Sequence, residues 1–257
     1  PDQKYMGGFT GSSSQGFRHM FYRAWSLMEP LVTFHFPLHE MGQAPDRAAL
    51  YFKLALQAGK AGHAFWAHRF LGWGLHYVQD LSQPYHASQF ASFRLLPIMT
   101  LIRDGWEATV RETTRRVSNY HLSFEDYTDL LLASSSSESG LELAFRVPKP
   151  SRGLNEALGL EETPRLSERI RELAAVSSRL ASAVVRAQGK LMKDELLTEG
   201  VDIGKGSKVD YEKLAKNSSY VNPREELYSL QFEALSNTGL AARWYTEQYY
   251  KQLRLRK

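Results

Sequence analysis

The chain has 257 residues, of which 43% are hydrophobic and 23% charged, with a formal net charge of +4 and no cysteine. That length supports one large core or two small ones. Disulfides and thiolate metal ligands are excluded, and no apolar run reaches the ~18 residues of a membrane span. The mild basic excess suits anionic partners such as phosphate esters or acidic lipid without singling one out.

Residues 1–17 are rich in glycine and serine and are expected to form a loop. The chain opens on Pro1 rather than Met, which points to a mature form or a fragment lacking an N-terminal segment. Arg18-His19-Met20-Phe21-Tyr22 leads into an aromatic stretch that stops at Pro30. His35, His39 and Glu40 follow, and Pro37 argues against a helix presenting both histidines on one face, so they are expected to be loop residues. An amphipathic helix is predicted from Asp46, an N-cap after Pro45, to about Gly59.

After the Lys60-Ala61-Gly62 turn, an apolar helix is predicted from His63 to Asp80. Trp66, Trp73 and Tyr77 recur on it at helical spacing and are expected in the core. His63 and His68 on the same helix read as surface or packing residues. Pro84 cannot continue this helix and turns the chain, bringing His86 back towards Asp80. Residues 87–118 form an insertion with an apolar half, Phe90 to Ile102, and a basic helical half, Trp106 to Val117. His121 opens the next helix, which ends by Ser134–Ser137. Residues 138–162 are expected to be an irregular insertion. Thr163-Pro164 starts a long helix with Leu166, Ile170, Leu173, Leu180 and Val184 on one stripe. Residues 197–224 form a loop and a last helix runs from about Glu226 to Leu253. No stretch alternates with period two, so the fold class is all-α, a single domain over 1–257 with loop insertions.

The chemistry-bearing pattern is His76-x3-Asp80-x5-His86 followed by His121-x3-Glu125, with His19 upstream. Residues four apart on a helix share a face with Cβ atoms roughly 5–6 Å apart, so each i,i+4 pair can reach one ion without backbone strain. Zinc takes imidazole nitrogens and carboxylate oxygens at ~2.0–2.2 Å and, in hydrolytic sites, keeps a position open for water. His19 and His86 are available to complete two three-ligand sets. Taken singly, either pair is also the ordinary spacing of a hydrogen-bonded couple. Inward-pointing ionisable groups on apolar helices, however, are costly unless paired or bound to metal.

Gly72-Trp73-Gly74-Leu75-His76-Tyr77-Val78-Gln79-Asp80-Leu81-Ser82-Gln83-Pro84-Tyr85-His86-Ala87 resembles the core motif of bacterial zinc-dependent phospholipases C, and is similar to that of the single-strand-specific zinc nucleases. His121-Leu-Ser-Phe-Glu125 resembles the second motif and Arg18-His19-Met20-Phe21-Tyr22 the earlier histidine motif, the likeness covering residues 15–130. The resemblance implies a multi-helix bundle that hydrolyses phosphodiesters in a secreted or extracytoplasmic setting. One zinc would sit on His86, His121 and Glu125 and another on His19, His76 and Asp80, with Asp80 also bridging metals. A third zinc would need ligands upstream of His19, where this sequence supplies no histidine. Asp2 stands nearest to the acidic residue that the resemblance implies as general base. The substrate expected is a glycerophospholipid, with single-stranded nucleic acid as the alternative and a lapsed, non-catalytic helical interaction module as another. The apolar, arginine-flanked stretch 90–103 either makes peripheral contact with a membrane or packs as an ordinary helix pair.

Overall fold

The structure is a computed structural model that describes residues 18–22, 40–88, 98–134, 140–149, 154, 158, 166–192, 196, 209–217, 219 and 221–254. Among them the architecture is all-α, with eight helices and a single antiparallel ladder of two-residue strands. The chain divides into two compact units. The first comprises Pro1–Ser88, Phe145–Arg179 and Ala234–Lys257; the second comprises Gln89–Ala144 and Leu180–Glu233.

In the first unit, β1 (Phe21–Tyr22) pairs with β2 (Met41–Gly42), Phe21 opposite Gly42 and Tyr22 opposite Met41. Gly42 has φ +129°, and a Cβ there would collide with the backbone carbonyl of Met20, so only glycine lets the two segments approach. Helix α1 (Ala44–Lys60) follows at once. It begins two residues before the predicted Asp46 cap: Gln43 is the N-cap, without a side-chain bond, and Pro45 lies inside the first turn, where its missing N–H costs nothing. Asp46 therefore acts within the first turn, where its charge suits the helix dipole and meets Arg171 at 3.0 Å.

Helix α1 buries Ala44, Ala48, Phe52, Ala55 and Leu56, and α2 (Ala64–Asp80) buries Ala67, Leu71, Gly74, Tyr77 and Val78. Both sets recur every three to four residues, so each helix turns one apolar face inward. They join a core with Ile170, Leu173 and Ala174 of α6 (Leu166–Leu191) and Ala241, Tyr245 and Tyr249 of α8 (Val221–Arg254). Gly74 lets Tyr245 lie against α2: the buried Tyr245 hydroxyl donates to the Ala48 carbonyl at 2.7 Å, in the space a Cβ on residue 74 would fill. At the end of α2, Ser177 Oγ donates to the Ser82 carbonyl at 2.8 Å, tying the turn that leads into α3 (Pro84–Ala87).

The expectation that Trp66 and Trp73 belong to the core is corrected by this packing. They are 49% and 41% exposed, and Phe65 is 68% exposed, whereas Tyr77 is buried. Ala67, Leu71 and Gly74, not the tryptophans, are buried, and the small Ala67 and Gly74 allow the close approach of α1 and α8.

In the second unit, α4 (Ile98–Ser134) contains one break, Gly105, whose φ of +80° separates Ile98–Asp104 from the remainder. His121 does not open a helix, as the sequence suggested; the helix runs through Ser118-Asn119-Tyr120. Asn119 is buried and donates to the Leu196 carbonyl at 2.9 Å, and Gln188 donates to the Tyr120 carbonyl at 2.9 Å. The stretches expected to be irregular also hold helices: α5 (Leu141–Arg146) within 138–162, and α7 (Tyr211–Lys216) with the start of α8 within 197–224. Asp210 caps α7 by accepting from the Lys213 N–H. Helix α8 starts five residues earlier than predicted because Pro223 is accommodated in its first turn. The 163–165 start predicted for α6 lies outside the described residues, but its stripe is in place, with Ile170, Leu173 and Val184 buried.

Candidate metal centre

Helix α2 presents His76 and Asp80 one turn apart on its last two turns, and the β1–β2 ladder holds the chain just after His19 against the start of α1. Three ligand atoms converge there. His19 Nδ1 lies 2.8 Å from Asp80 Oδ2, His76 Nε2 lies 3.1 Å from His19 Nδ1, and His76 Nε2 lies 3.4 Å from Asp80 Oδ2. Ligands on a tetrahedral ion at ~2.1 Å stand about 3.4 Å from one another. The triangle thus has nearly the edge lengths of one face of a tetrahedral zinc site.

With the His19 Nδ1–H donating to Asp80, that nitrogen cannot also accept from His76 Nε2 3.1 Å away, and His76 Nε2 is left with Asp80 Oδ2 at 3.4 Å, the long end of a hydrogen bond. A cation in the middle takes all three lone pairs at once. The donor set therefore fits a metal ion, as the spacing of His76 and Asp80 led us to expect. The Asp80 side chain is only 14% exposed whereas that of His76 is 55% exposed, so the centre is held from below and open on the His76 side. An open side is what a hydrolytic metal site needs for water and substrate.

The surrounding residues orient this set. The Tyr77 ring lies 5.2 Å from that of His19, and Arg47 Nε donates to the Tyr77 hydroxyl at 2.9 Å. Arg171 lies over the Phe21 ring at 5.4 Å, next to the His19 segment. Sequence reasoning missed Arg47, Arg171 and Gln83. Only Gln83 carried a local signal: it precedes a first-turn proline, and its Oε1 caps α3 by accepting from the N–H groups of Tyr85 and His86. Arg47 and Arg171 reach the site only through tertiary packing.

His86, on α3, is oriented by a backbone contact. Its Nδ1 lies 3.0 Å from the His19 carbonyl, which can only accept, so Nδ1 carries the proton and Nε2 carries the lone pair. His86 Nδ1 is also 4.0 Å from Asp80 Oδ1, so the two Asp80 oxygens face different histidines. His86 belongs to the first unit and His121 and Glu125 to the second.

In the second unit, the i,i+4 pair is formed on α4, with His121 Nε2 and Glu125 Oε1 3.0 Å apart. Tyr120, Phe124 and Tyr127 are buried on the flanking face of the same helix. Burial pushes the neighbouring Asp126 carboxyl above the usual carboxylate range, against the lowering effect of its bond from the Tyr211 hydroxyl.

Asp2, His35 and His39 lie outside the described residues, as does 89–97 of the 87–118 insertion. His68, expected to be a surface or packing residue, is exposed on α2: its Nδ1 meets the Ala64 carbonyl at 2.8 Å and its Nε2 the Tyr250 hydroxyl at 3.2 Å. No protein-family model matches the chain, and no curated protein matches it.

Proposed function

We propose that this protein is a zinc-dependent phosphodiester hydrolase whose substrates are glycerophospholipids. The observation that carries the reading is the convergence of His19 Nδ1, His76 Nε2 and Asp80 Oδ2 at 2.8–3.4 Å, with the open side at His76. The second ligand set is His86, His121 and Glu125, taken from the resemblance to zinc-dependent phospholipases C. In support of it, the His86 tautomer puts the lone pair on Nε2, and His121 and Glu125 already present Nε2 and Oε1 side by side.

When bound, zinc supplies a water acidified towards neutrality and positive charge for the phosphate oxygens. The protein's own groups set where this happens. Asp80 directs Oδ2 to the first set and Oδ1 towards His86, a disposition suited to a carboxylate serving two sets. The His19 carbonyl fixes the His86 ring, and Tyr77, itself held by Arg47, supports the His19 ring. Phosphoryl transfer needs positioning and charge stabilisation more than a protein nucleophile, so no serine or cysteine is required. Asp2 is the proposed general base.

Among the described residues no helix is long and apolar enough to cross a membrane. Ile98, Met99, Leu101 and Ile102 are exposed, and they are the described part of the proposed peripheral lipid contact over 90–103.

Metal analysis of protein purified without chelator tests the reading. About two zinc ions per chain are expected, falling to about one in the His76→Ala and Asp80→Asn variants, together with cleavage of phosphatidylcholine vesicles and of a soluble phosphodiester. Cleavage of single-stranded DNA alone would transfer the substrate assignment to the nuclease alternative. Protein that takes up no zinc would leave the helical interaction module.

A further inference from the structure

The outward face of α2 continues from the metal centre as a stripe of large aromatics. Phe65, Trp66, Arg69, Trp73 and His76 follow one another at intervals of one to four residues, and all are exposed. Their rings form a connected series: Phe65 against Trp66 at 5.4 Å, Trp66 against Phe70 at 5.8 Å, and Phe70 against Trp73 at 5.6 Å. Tyr51 joins Trp73 to Tyr77, and Tyr77 abuts both His19 and His76. Arg69 lies over Phe65 at 6.0 Å and over Trp73 at 5.1 Å. Between Ala64 and Gln79 the helix carries no carboxylate.

Keeping rings of this size in water is unfavourable, so the stripe marks a contact surface. Because it ends on His76, whatever covers it is brought directly to the centre, which makes the substrate-bearing body the natural occupant. The stripe from Phe65 to His76 is about 16 Å long. A nucleic acid strand stacked on such rings would also need a positively charged groove along its backbone, and the stripe supplies only Arg69. A bilayer surface needs what is present: aromatic side chains at the depth of the headgroups, a cation framed by rings, and no acid to repel anionic lipid.

We propose that the Phe65–Trp73 face of α2 docks on the surface of an anionic phospholipid bilayer and carries the His19–His76–Asp80 centre to its substrate. The inference rests on the phospholipid reading of that centre, and binding is therefore measured apart from turnover. Vesicles of phosphatidylcholine with phosphatidylglycerol, and of phosphatidylcholine alone, are made from phosphonate analogues that resist cleavage, and binding of the zinc-loaded protein is read by co-sedimentation and by tryptophan emission. Wild type is expected to bind with a blue shift. The Phe65→Ser/Trp66→Ser variant is expected to bind at least about tenfold more weakly, each lost ring removing buried apolar area. Arg69→Glu, a change confined to an exposed residue, is expected to weaken binding to the anionic vesicles selectively.

Both variants should unfold at the wild-type temperature and hydrolyse bis(p-nitrophenyl) phosphate at the wild-type rate. Vesicle binding that is absent in wild type, or unchanged in both variants, overturns the docking surface even if the soluble ester is cleaved. Retained, variant-sensitive binding without any ester hydrolysis upholds the surface and counts against the catalytic reading. Binding of a thymidine oligonucleotide through Phe65 and Trp66, with none to vesicles, overturns the proposal in favour of nucleic acid.

Discussion

Replacing Gly74 by alanine puts the packing that positions the centre under direct test. A Cβ at residue 74 would occupy the site of the Tyr245 hydroxyl, at 3.0 Å from Cζ and 3.3 Å from the Ala48 carbonyl. Tyr245 cannot swing aside, because it is fully buried, its ring packs edge-on to Phe52 at 5.2 Å, and its hydroxyl is bonded to Ala48. Overpacking of this kind costs about 1–3 kcal/mol, and the displaced hydrogen bond about 1 kcal/mol more. Alanine regains about 1 kcal/mol of helix propensity over glycine. The expected net loss is therefore about 1–3 kcal/mol, summed from these contributions. Tyr245→Phe alone should cost about 1 kcal/mol for the lost bond. In the Gly74→Ala background the same change removes the clashing oxygen and should stabilise, so its effect changes sign. Urea unfolding of the four proteins, followed by circular dichroism, measures this coupling. Simple additivity of the two substitutions would refute the interlock.

Removing the α3 cap by Gln83→Ala should lower stability by about 1 kcal/mol, and because it loosens the turn carrying His86 it should weaken zinc binding about tenfold, read by chelator competition. The Glu112 carboxyl is held below its usual value of 4.5 by Arg115 and Arg116. Its contribution is therefore present above the unfolded value and is lost as pH falls through the lower folded value. Glu112→Gln should destabilise at pH 7 by at most about 1 kcal/mol, since the pair is partly exposed, and the difference should vanish in acid, as urea midpoints at both pH values will report. Ile98→Asp should reduce turnover on vesicles while sparing a soluble phosphodiester, and an equal loss on both would contradict a lipid role for Ile98–Ile102.

The all-α class and the course of α2 were legible because periodicity and proline are local signals. The apolar run from Ala64 and the break imposed by Pro84 bracket Ala64–Asp80. The His76–Asp80 relation was legible for the same reason, being one helical turn. The orientation of α2 was not. The tryptophans look like core residues by hydrophobicity, but Gly74 and Ala67 decide which face turns inward, and that depends on Tyr245, far away in the chain. The continuation of α4 through Ser118-Asn119-Tyr120 into His121 was hidden similarly, since the bond from Asn119 to the Leu196 carbonyl is set by a distant part of the chain. His19 could be nominated from its motif, but its approach to Asp80 depends on the close passage of Met20 past Gly42.

The bond between the His86 ring and the peptide oxygen of residue 19 has an implication for how the protein assembles and comes apart. One short segment, Arg18–Tyr22, both donates an imidazole to the first triangle and governs the rotation of a second imidazole on another element. Peeling that segment away would dismantle the triangle and unlock the other ring in a single event. Under the proposed two-zinc reading, loss of metal from the His19 set would also release the His86 ring, and stripping with chelator should proceed as one cooperative step rather than two.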